Sequence, residues 1–471
     1  MKTLIVIGAR PNFMKAAPII AAMKRHNALI GPSPADHNQR SPEAIQHVLV
    51  HTGQHYDDSM SGAFFRDLDL PIPDVNLGVR SGSHAVQTAE IMTKFEQVVL
   101  AEKPDVVVVV GDVNSTVACA LVTAKVSFDS SGSRPLIAHV EAGLRSFDRA
   151  MPEEINRVMT DHLSDLLFVT EPSGIQNLCR EGMAASKIHF VGNTMIDSLL
   201  AVKEKAECSS ILEALGLRSQ SETKSMERSI ERYALLTLHR PSNVDNRDIF
   251  LSILEGLEEL ATDCPIVFPV HPRTRQRISE VGLKSFPDVT AGKCNGNGSS
   301  SPNDWKGIIF TDPLGYLDFL CLMKHAALVI TDSGGIQEET TCLGIPCVTV
   351  RENTERPVTV EIGTNTLAGT NSENIKDAIR RQSMRQDAGR IPEKWDGQAA
   401  ARIVQILIRA QAATTLKPTV VSRNSTRSDW GVIPKREPAV AARMAGFQRR
   451  ILLFITPDLQ AIPCQFTRLI R

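Results

Sequence analysis

The feature that most constrains this chain is a series of short, unbroken β-branched and apolar runs, each followed by a segment of helical period. The plainest is Asp105-Val106-Val107-Val108-Val109-Val110. A strand with one wet face alternates apolar and polar residues, whereas successive valines need cover on both faces. A parallel sheet flanked by helices provides that cover. Comparable runs recur at 3–7, 46–51, 135–139, 166–170 and 189–192, and then at 233–238, 265–270, 307–310, 328–330 and 346–350. The expected fold class is therefore α/β, with two doubly wound Rossmann-like domains facing a cleft and ligands gathered where the strands end.

The boundaries follow from breaks in this rhythm. Residues 1–202 form a first Rossmann-like domain, and 203–231 a polar linker with a surface helix. Residues 232–385 form the second domain, and 386–412 a helix that packs back on the first. Segment 413–447 is polar and basic without clean periodicity, Ile451-Leu-Leu-Phe-Ile is an isolated apolar patch, and 413–471 reads as a poorly ordered tail. Stretches 31–42, 129–134 and 291–306 are rich in Gly, Ser, Asn and Pro and read as mobile surface insertions.

Bulk charge argues against nucleic-acid and membrane partners. Lys plus Arg (52) nearly cancel Asp plus Glu (53), so any cationic function must be local. No stretch approaches the roughly 18 apolar residues of a membrane span. The chain runs from Met1-Lys2 straight into a strand, without a signal-peptide pattern, and a cytoplasmic location is expected. Nine cysteines without metal-ligand spacing read as reduced thiols, with no metal site.

Chemistry-bearing residues cluster at the predicted strand ends. After the strand Ala327–Ile330 come Thr331-Asp332-Ser333-Gly334-Gly335, with a helix expected to open near Ile336. Two glycines permit close backbone approach, and the unpaired amides of a helix start suit a phosphate, to which Ser333 adds a hydroxyl donor. Glu338 and Glu339 are expected in the first turn, as dipole partners or as a grip on a ribose. Gly8-Ala9-Arg10 opens another helix, in which Arg10 and Lys15 offer two cations to a diphosphate. Cations at a helix start oppose the dipole, which favours a ligand over a purely structural role.

Asp112 stands at a strand end, as a working carboxylate or as a helix cap or turn former. Glu141 precedes a glycine bend, and pairing with Arg145 is its bland alternative. Glu153 lies beside Pro152 at a helix start, where acidic residues are ordinarily dipole partners. In the second half His239, His271 and Arg356 each follow a strand, and Arg suits bidentate recognition of an oxyanion. Cations and carboxylates at one set of strand ends point to a diphosphate-linked substrate with acid–base work on its other part.

Taken together, GARPNFMK, TGQH, GDVNST, HVEAGLRSFDRAMPEEINR, TLHRP, TDSGGIQEE and ERP, in this order between about residues 3 and 410, resemble the non-hydrolysing UDP-N-acetylglucosamine 2-epimerases, which are GT-B-like in fold. The resemblance implies reversible conversion of UDP-N-acetylglucosamine (UDP-GlcNAc) to UDP-N-acetylmannosamine (UDP-ManNAc), with UDP eliminated to a bound 2-acetamidoglucal and added back. It implies catalytic positions at Asp112, Glu141, Glu153 and His239. Arg10, Lys15, His271, Ser333, Gly334, Gly335 and Arg356 would contact the diphosphate and sugar, Glu339 the ribose, and Phe319 the uracil. Residues 232–385 would be the UDP-binding domain. It further implies no cofactor or metal, UDP-GlcNAc as small-molecule partner, and a homodimer.

The chain departs from family patterns at Ser242, where many relatives carry Glu, at Leu314, where bacterial members often have Gln, and at Arg80-Ser81 in place of Arg-Gln. Three other readings of the same residues are a hydrolysing epimerase, a GT-B glycosyltransferase and a non-catalytic UDP-sugar-binding protein.

Overall fold

The computed structural model describes residues 1–30, 44–53, 67–218, 232–270, 272–281, 307–385, 387 and 389–415. They contain two parallel sheets. The strands are β1 (Lys2–Ile7), β2 (Gln46–His51), β3 (Val75–Asn76), β4 (Val106–Val110), β5 (Leu136–Ala142), β6 (Leu166–Val169), β7 (Ile188–Phe190), β8 (Ala234–Thr237), β9 (Ile266–Pro269), β10 (Ile308–Thr311), β11 (Leu328–Thr331), β12 (Cys347–Thr349) and β13 (Asn365–Leu367). The first sheet has the order β3-β2-β1-β4-β5-β6-β7 and the second β10-β9-β8-β11-β12-β13.

This order places the site. In each sheet the direction of winding reverses beside the first strand: β1 lies between β2 and β4, and β8 between β9 and β11. Helices on either side of such a reversal lie on opposite faces, which leaves a crevice at the strand C-termini. The segments that follow β1, β4, β8 and β11 are therefore the ones that meet a ligand. The valines of β4 are 0–1% exposed, as cover on both faces requires.

Two strands, β3 and β13, have no counterpart among the expected runs. Both are edge strands of two or three residues, too short to form a readable run. Strand β5 extends to Ala142, beyond the expected 135–139, so Glu141 belongs to the strand itself. The register against β6 shifts between Val140 and Ala142, and Glu141 stands at φ +76°.

Segment 203–218 is not a solvent-facing linker throughout. The short helix Ile211–Ala214 and the residues after it bury Leu212, Leu215 and Leu217 in the core. Within 129–134, Asp129 accepts hydrogen bonds from the amides of Ser131 and Ser133 and closes an exposed turn. The insertions 31–42 and 291–306 lie outside the described residues, as does the tail from residue 416 on.

A continuous apolar core runs from the helix Arg10–Ile30 (Phe13, Ile20) through the helix Thr194–Ala206 (Ile196, Leu199) to the helix Tyr316–His325 (Leu320, Met323), and so joins the two sheets. The helix Ala399–Thr415 packs on Arg10–Ile30. Its start is capped from the first half of the chain, where Asp197 accepts from the amides of Ala399 (3.2 Å) and Ala400 (2.8 Å). Trp395 is buried, and its indole N–H donates to the Thr170 carbonyl at 3.0 Å.

Candidate active site

A cavity of about 820 Å³ lies between the strand ends of the two sheets. Lys15, Asp112 and Glu153 reach it from the first half. His239, Phe319, Ser333, Gly334, Gly335, Glu339 and Arg356 reach it from the second. Arg10 is the first residue of its helix. His271 lies outside the described residues.

Glu141 does not line the cavity, being buried behind two cations that do. Lys15 Nζ is paired with one of its oxygens, and Arg356 Nη2 donates to the other at 2.7 Å. The bland pairing with Arg145 is not made. Arg145 instead lies 2.7 Å from Asp161 and 2.7 Å from Glu181.

Asp112 accepts from Arg157 Nη2 at 2.6 Å. Burial alone would raise its pKa, but Arg157, Lys15 and Arg356 hold the carboxyl below its ordinary range, so it is ionised at neutral pH. It is not the cap of the following helix; that position belongs to Val113. Glu153 sits in the first turn of the helix Pro152–Leu163 and faces Arg240 across the cavity.

On the opposite wall the helix Gly334–Leu343 starts two residues earlier than the sequence suggests. Ser333 is its N-cap, and the Ser333 hydroxyl makes no capping bond. The first amides of a helix lack intrahelical partners, so the Gly334 and Gly335 amides, with the Ser333 hydroxyl, present an anion site to the cavity, while the Ser333 amide donates to Thr331 Oγ1 at 2.9 Å. A Cβ on Gly334 would stand 2.5 Å from Arg356 Nη1, so the glycine lets that guanidinium lie against the helix start.

The earlier start also overturns the expected place of the two glutamates. Glu338 and Glu339 fall in the second turn and are buried, not exposed dipole partners. Glu338 pairs with Arg356 Nε at 2.8 Å. Glu339 accepts from the Tyr316 hydroxyl at 2.8 Å, and burial pushes its pKa up to about 7.

His239 is exposed to the cavity, with Nδ1 2.9 Å from Asp332 Oδ1. Asp332 is buried and also accepts from the amides of His239 and Arg240 and from Asn243 Nδ2. Burial would raise its pKa, but the bonds from His239 and the two amides hold it low, so it orients the imidazole as a fixed anion.

Several residues that build this site were not singled out in the sequence. Asp332 carried a usable signal, an acid immediately after a strand and before a helix start. Arg157 sits one turn beyond Glu153 on the same helix. Glu355 gathers Arg351 (2.8 Å), Arg356 (3.4 Å), Arg240 (3.5 Å) and Arg157 (3.9 Å) from both halves of the chain. Burial opposes its charge, but those arginines hold its carboxyl far below the usual range. No spacing rule reveals such a cluster, because Arg240 and Arg157 lie about 115 and 200 residues before Glu355 in the chain.

The fold and the cleft define a two-domain, GT-B-like α/β protein with Arg356 and a helix start on one wall and Lys15, Asp112 and Glu153 on the other. Residues 37–408 match the family model of UDP-N-acetylglucosamine 2-epimerase. The UDP-N-acetylglucosamine 2-epimerase of Methanocaldococcus jannaschii is 41% identical over 412 residues, covering 86% of this chain and 99% of that protein. The UDP-2,3-diacetamido-2,3-dideoxy-D-glucuronate 2-epimerase of Pseudomonas aeruginosa is 37% identical, covering 87% of this chain and 100% of that one. A crystal structure of the Methanocaldococcus jannaschii enzyme in complex with UDP-GlcNAc and UDP aligns with a TM-score of 0.70 at 40% identity, covering 87% of this chain and 100% of that one. The chain belongs to the UDP-N-acetylglucosamine 2-epimerase family.

Proposed function

We propose that this protein interconverts UDP-GlcNAc and UDP-ManNAc without net hydrolysis, by eliminating UDP to a bound 2-acetamidoglucal and adding it back. The observation that carries this reading is the two-sided cavity. A helix start with Lys15 and Arg356 can hold a diphosphate, while Asp112 and Glu153, with Glu141 behind the cations, stand opposite it. Names of relatives on both sides of the choice of sugar, UDP-GlcNAc and a diacetamido uronate, support the 2-epimerase chemistry.

The C2 proton of the sugar is not acidic, because no carbonyl adjoins it. Breaking the C1–O bond gives C1 oxocarbenium character, and a carboxylate then removes the C2 proton to form the glycal. UDP must stay bound for the reverse addition. Arg10, Lys15, Arg356, His271, the Ser333 hydroxyl and the Gly334 and Gly335 amides are assigned to the diphosphate, and His239 to the leaving oxygen. Glu339 is assigned to the ribose and Phe319 to the uracil. No metal is needed where cations and amides neutralise the diphosphate.

Inversion at C2 requires a base on one face and a proton donor on the other. Asp112 and Glu141 are assigned these two tasks, with Glu153 supporting. Asp112 suits the base role for the epimer whose C2 hydrogen it faces, because Arg157 keeps it ionised. A diphosphate entering the cleft would share Lys15 and Arg356 with Glu141 and free its oxygens toward the sugar. In this reading residues 1–202 supply most acid–base groups, residues 232–385 bind UDP, and the protein works as a cytoplasmic homodimer.

The test is incubation with UDP-GlcNAc in D₂O, followed by NMR. Deuterium at C2 with equilibration between the two UDP-sugars is expected. Accumulation of free N-acetylmannosamine and UDP would identify a hydrolysing enzyme. Folded protein that binds UDP yet exchanges no C2 proton would sink the epimerase reading.

A further inference from the structure

We propose that His139 is a positioning residue for this reaction, a buried imidazole whose two ring nitrogens tie together the backbone turns that carry Asp112 and Glu141. The inference rests on the assignment of those carboxylates to the C2 proton.

His139 lies on β5, two residues before Glu141, and is 0% exposed. Its Nδ1 is 2.7 Å from Asp161 Oδ1 and its Nε2 is 2.8 Å from the Gly111 carbonyl oxygen. A carbonyl oxygen can only accept a hydrogen bond, and so can an ionised carboxylate. Burial would raise the Asp161 pKa, but His139 and Arg145 face it and hold its carboxyl low. The ring thus joins the Gly111 carbonyl oxygen, to which Nε2–H donates, to the Asp161 carboxylate at Nδ1.

The pair is fixed in turn by Arg145, which lies 2.7 Å from Asp161 and 2.7 Å from the partly exposed Glu181.

The cluster touches both reactive turns. Gly111, whose carbonyl His139 holds, stands at φ +67° and is joined directly to Asp112. Asp161 Oδ2 accepts the Gly143 amide at 3.1 Å, two residues after Glu141. Glu141 is in the left-handed region at φ +76°, flanked by the bulge and by Gly143 at φ +82°. A non-glycine residue there is strained and stays only when its surroundings over-determine it. The His139–Asp161 pair supplies that constraint. Neither side chain lines the cavity, so neither is placed to touch the substrate.

The experiment uses the full chain labelled with ¹⁵N-histidine, together with His139→Gln and Asp161→Asn. In the wild type, one histidine, absent from His139→Gln, should show a ring N–H held in a hydrogen bond and slow to exchange with solvent. Asp161→Asn should loosen that ring and speed the exchange. Both variants should lower kcat for C2 exchange by about 100-fold, the order expected for a displacement of about 1 Å at the reacting groups, with KM and UDP affinity retained. A freely exchanging ring in the wild type overturns the proposal, and so does a folded variant with unchanged kcat. Parallel loss of kcat and UDP affinity would make the pair a scaffold only and overturn it too. If the wild type shows no C2 exchange at all, the functional reading fails, while the ring's hydrogen bonding is still read directly.

Discussion

The two walls of the cleft are built on opposite principles. On the wall of the second sheet, β11 runs into a helix through Ser333 at φ −86°, an ordinary N-cap, and the anion site is what any helix start offers. On the wall of the first sheet, β5 bulges, Glu141 takes a left-handed backbone, and buried ion pairs hold the turn from behind. Binding a diphosphate needs only amides and cations in a common arrangement. The proposed reaction needs a carboxylate in a particular geometry at one face of a sugar ring, and the backbone of Glu141 is held against its own preference.

Substitutions on each wall should therefore fail differently. The largest effect belongs to the carboxylate wall. Asp112→Asn or Glu141→Gln is expected to reduce C2 exchange by about a thousandfold, within the span of general acid–base contributions, while calorimetry still detects UDP binding. Unchanged turnover would remove that residue from the chemistry and dissolve the contrast.

An intermediate effect is expected where the halves meet. Glu171 follows β6 and is buried near Arg356 and Glu338, and burial raises its pKa from 4.5 to about 7. A raised carboxylate binds more protons in the folded state, so its contribution is favourable below about pH 4.5 and is lost as pH rises to about 7. Glu171→Gln should then stabilise the protein at pH 8 by up to about 3 kcal/mol and leave it little changed at pH 4. Chemical denaturation at the two pH values checks this, and equal shifts at both would contradict it.

The smallest effect is expected at the helix start. Gly334→Ala puts a methyl where the Arg356 guanidinium lies, so UDP should bind about tenfold more weakly, or about 1.4 kcal/mol. Titration with UDP measures it. A larger change in C2 exchange than in affinity would show that Arg356 matters more to Glu141 than to the diphosphate.

The legible part of the fold was the part with local period. The valines of β4 read as strand because five successive apolar side chains have one common explanation, whereas Val75–Asn76 and Asn365–Leu367 have too few residues to carry a pattern. The same divide runs through the site. Ser333 and Gly334 were readable because a strand, a glycine pair and a helix follow one another in the chain. Glu338 and Glu339 were misplaced by a shift of two residues in the helix start, a scale at which sequence patterns are blunt.

By itself, then, the sequence determined two parallel sheets, the strand ends as the place of chemistry, and a charge mixture suited to a diphosphate sugar. Each follows from neighbours in the chain, through side-chain period and turn chemistry. Only the tertiary structure decided that Arg356 bridges to Glu141, that Arg157 holds Asp112 and reaches toward Glu355, and that His139 stands between two acceptors. The physical reason is that burial and pairing set the charge state of a group, and both depend on residues brought together from distant parts of the chain.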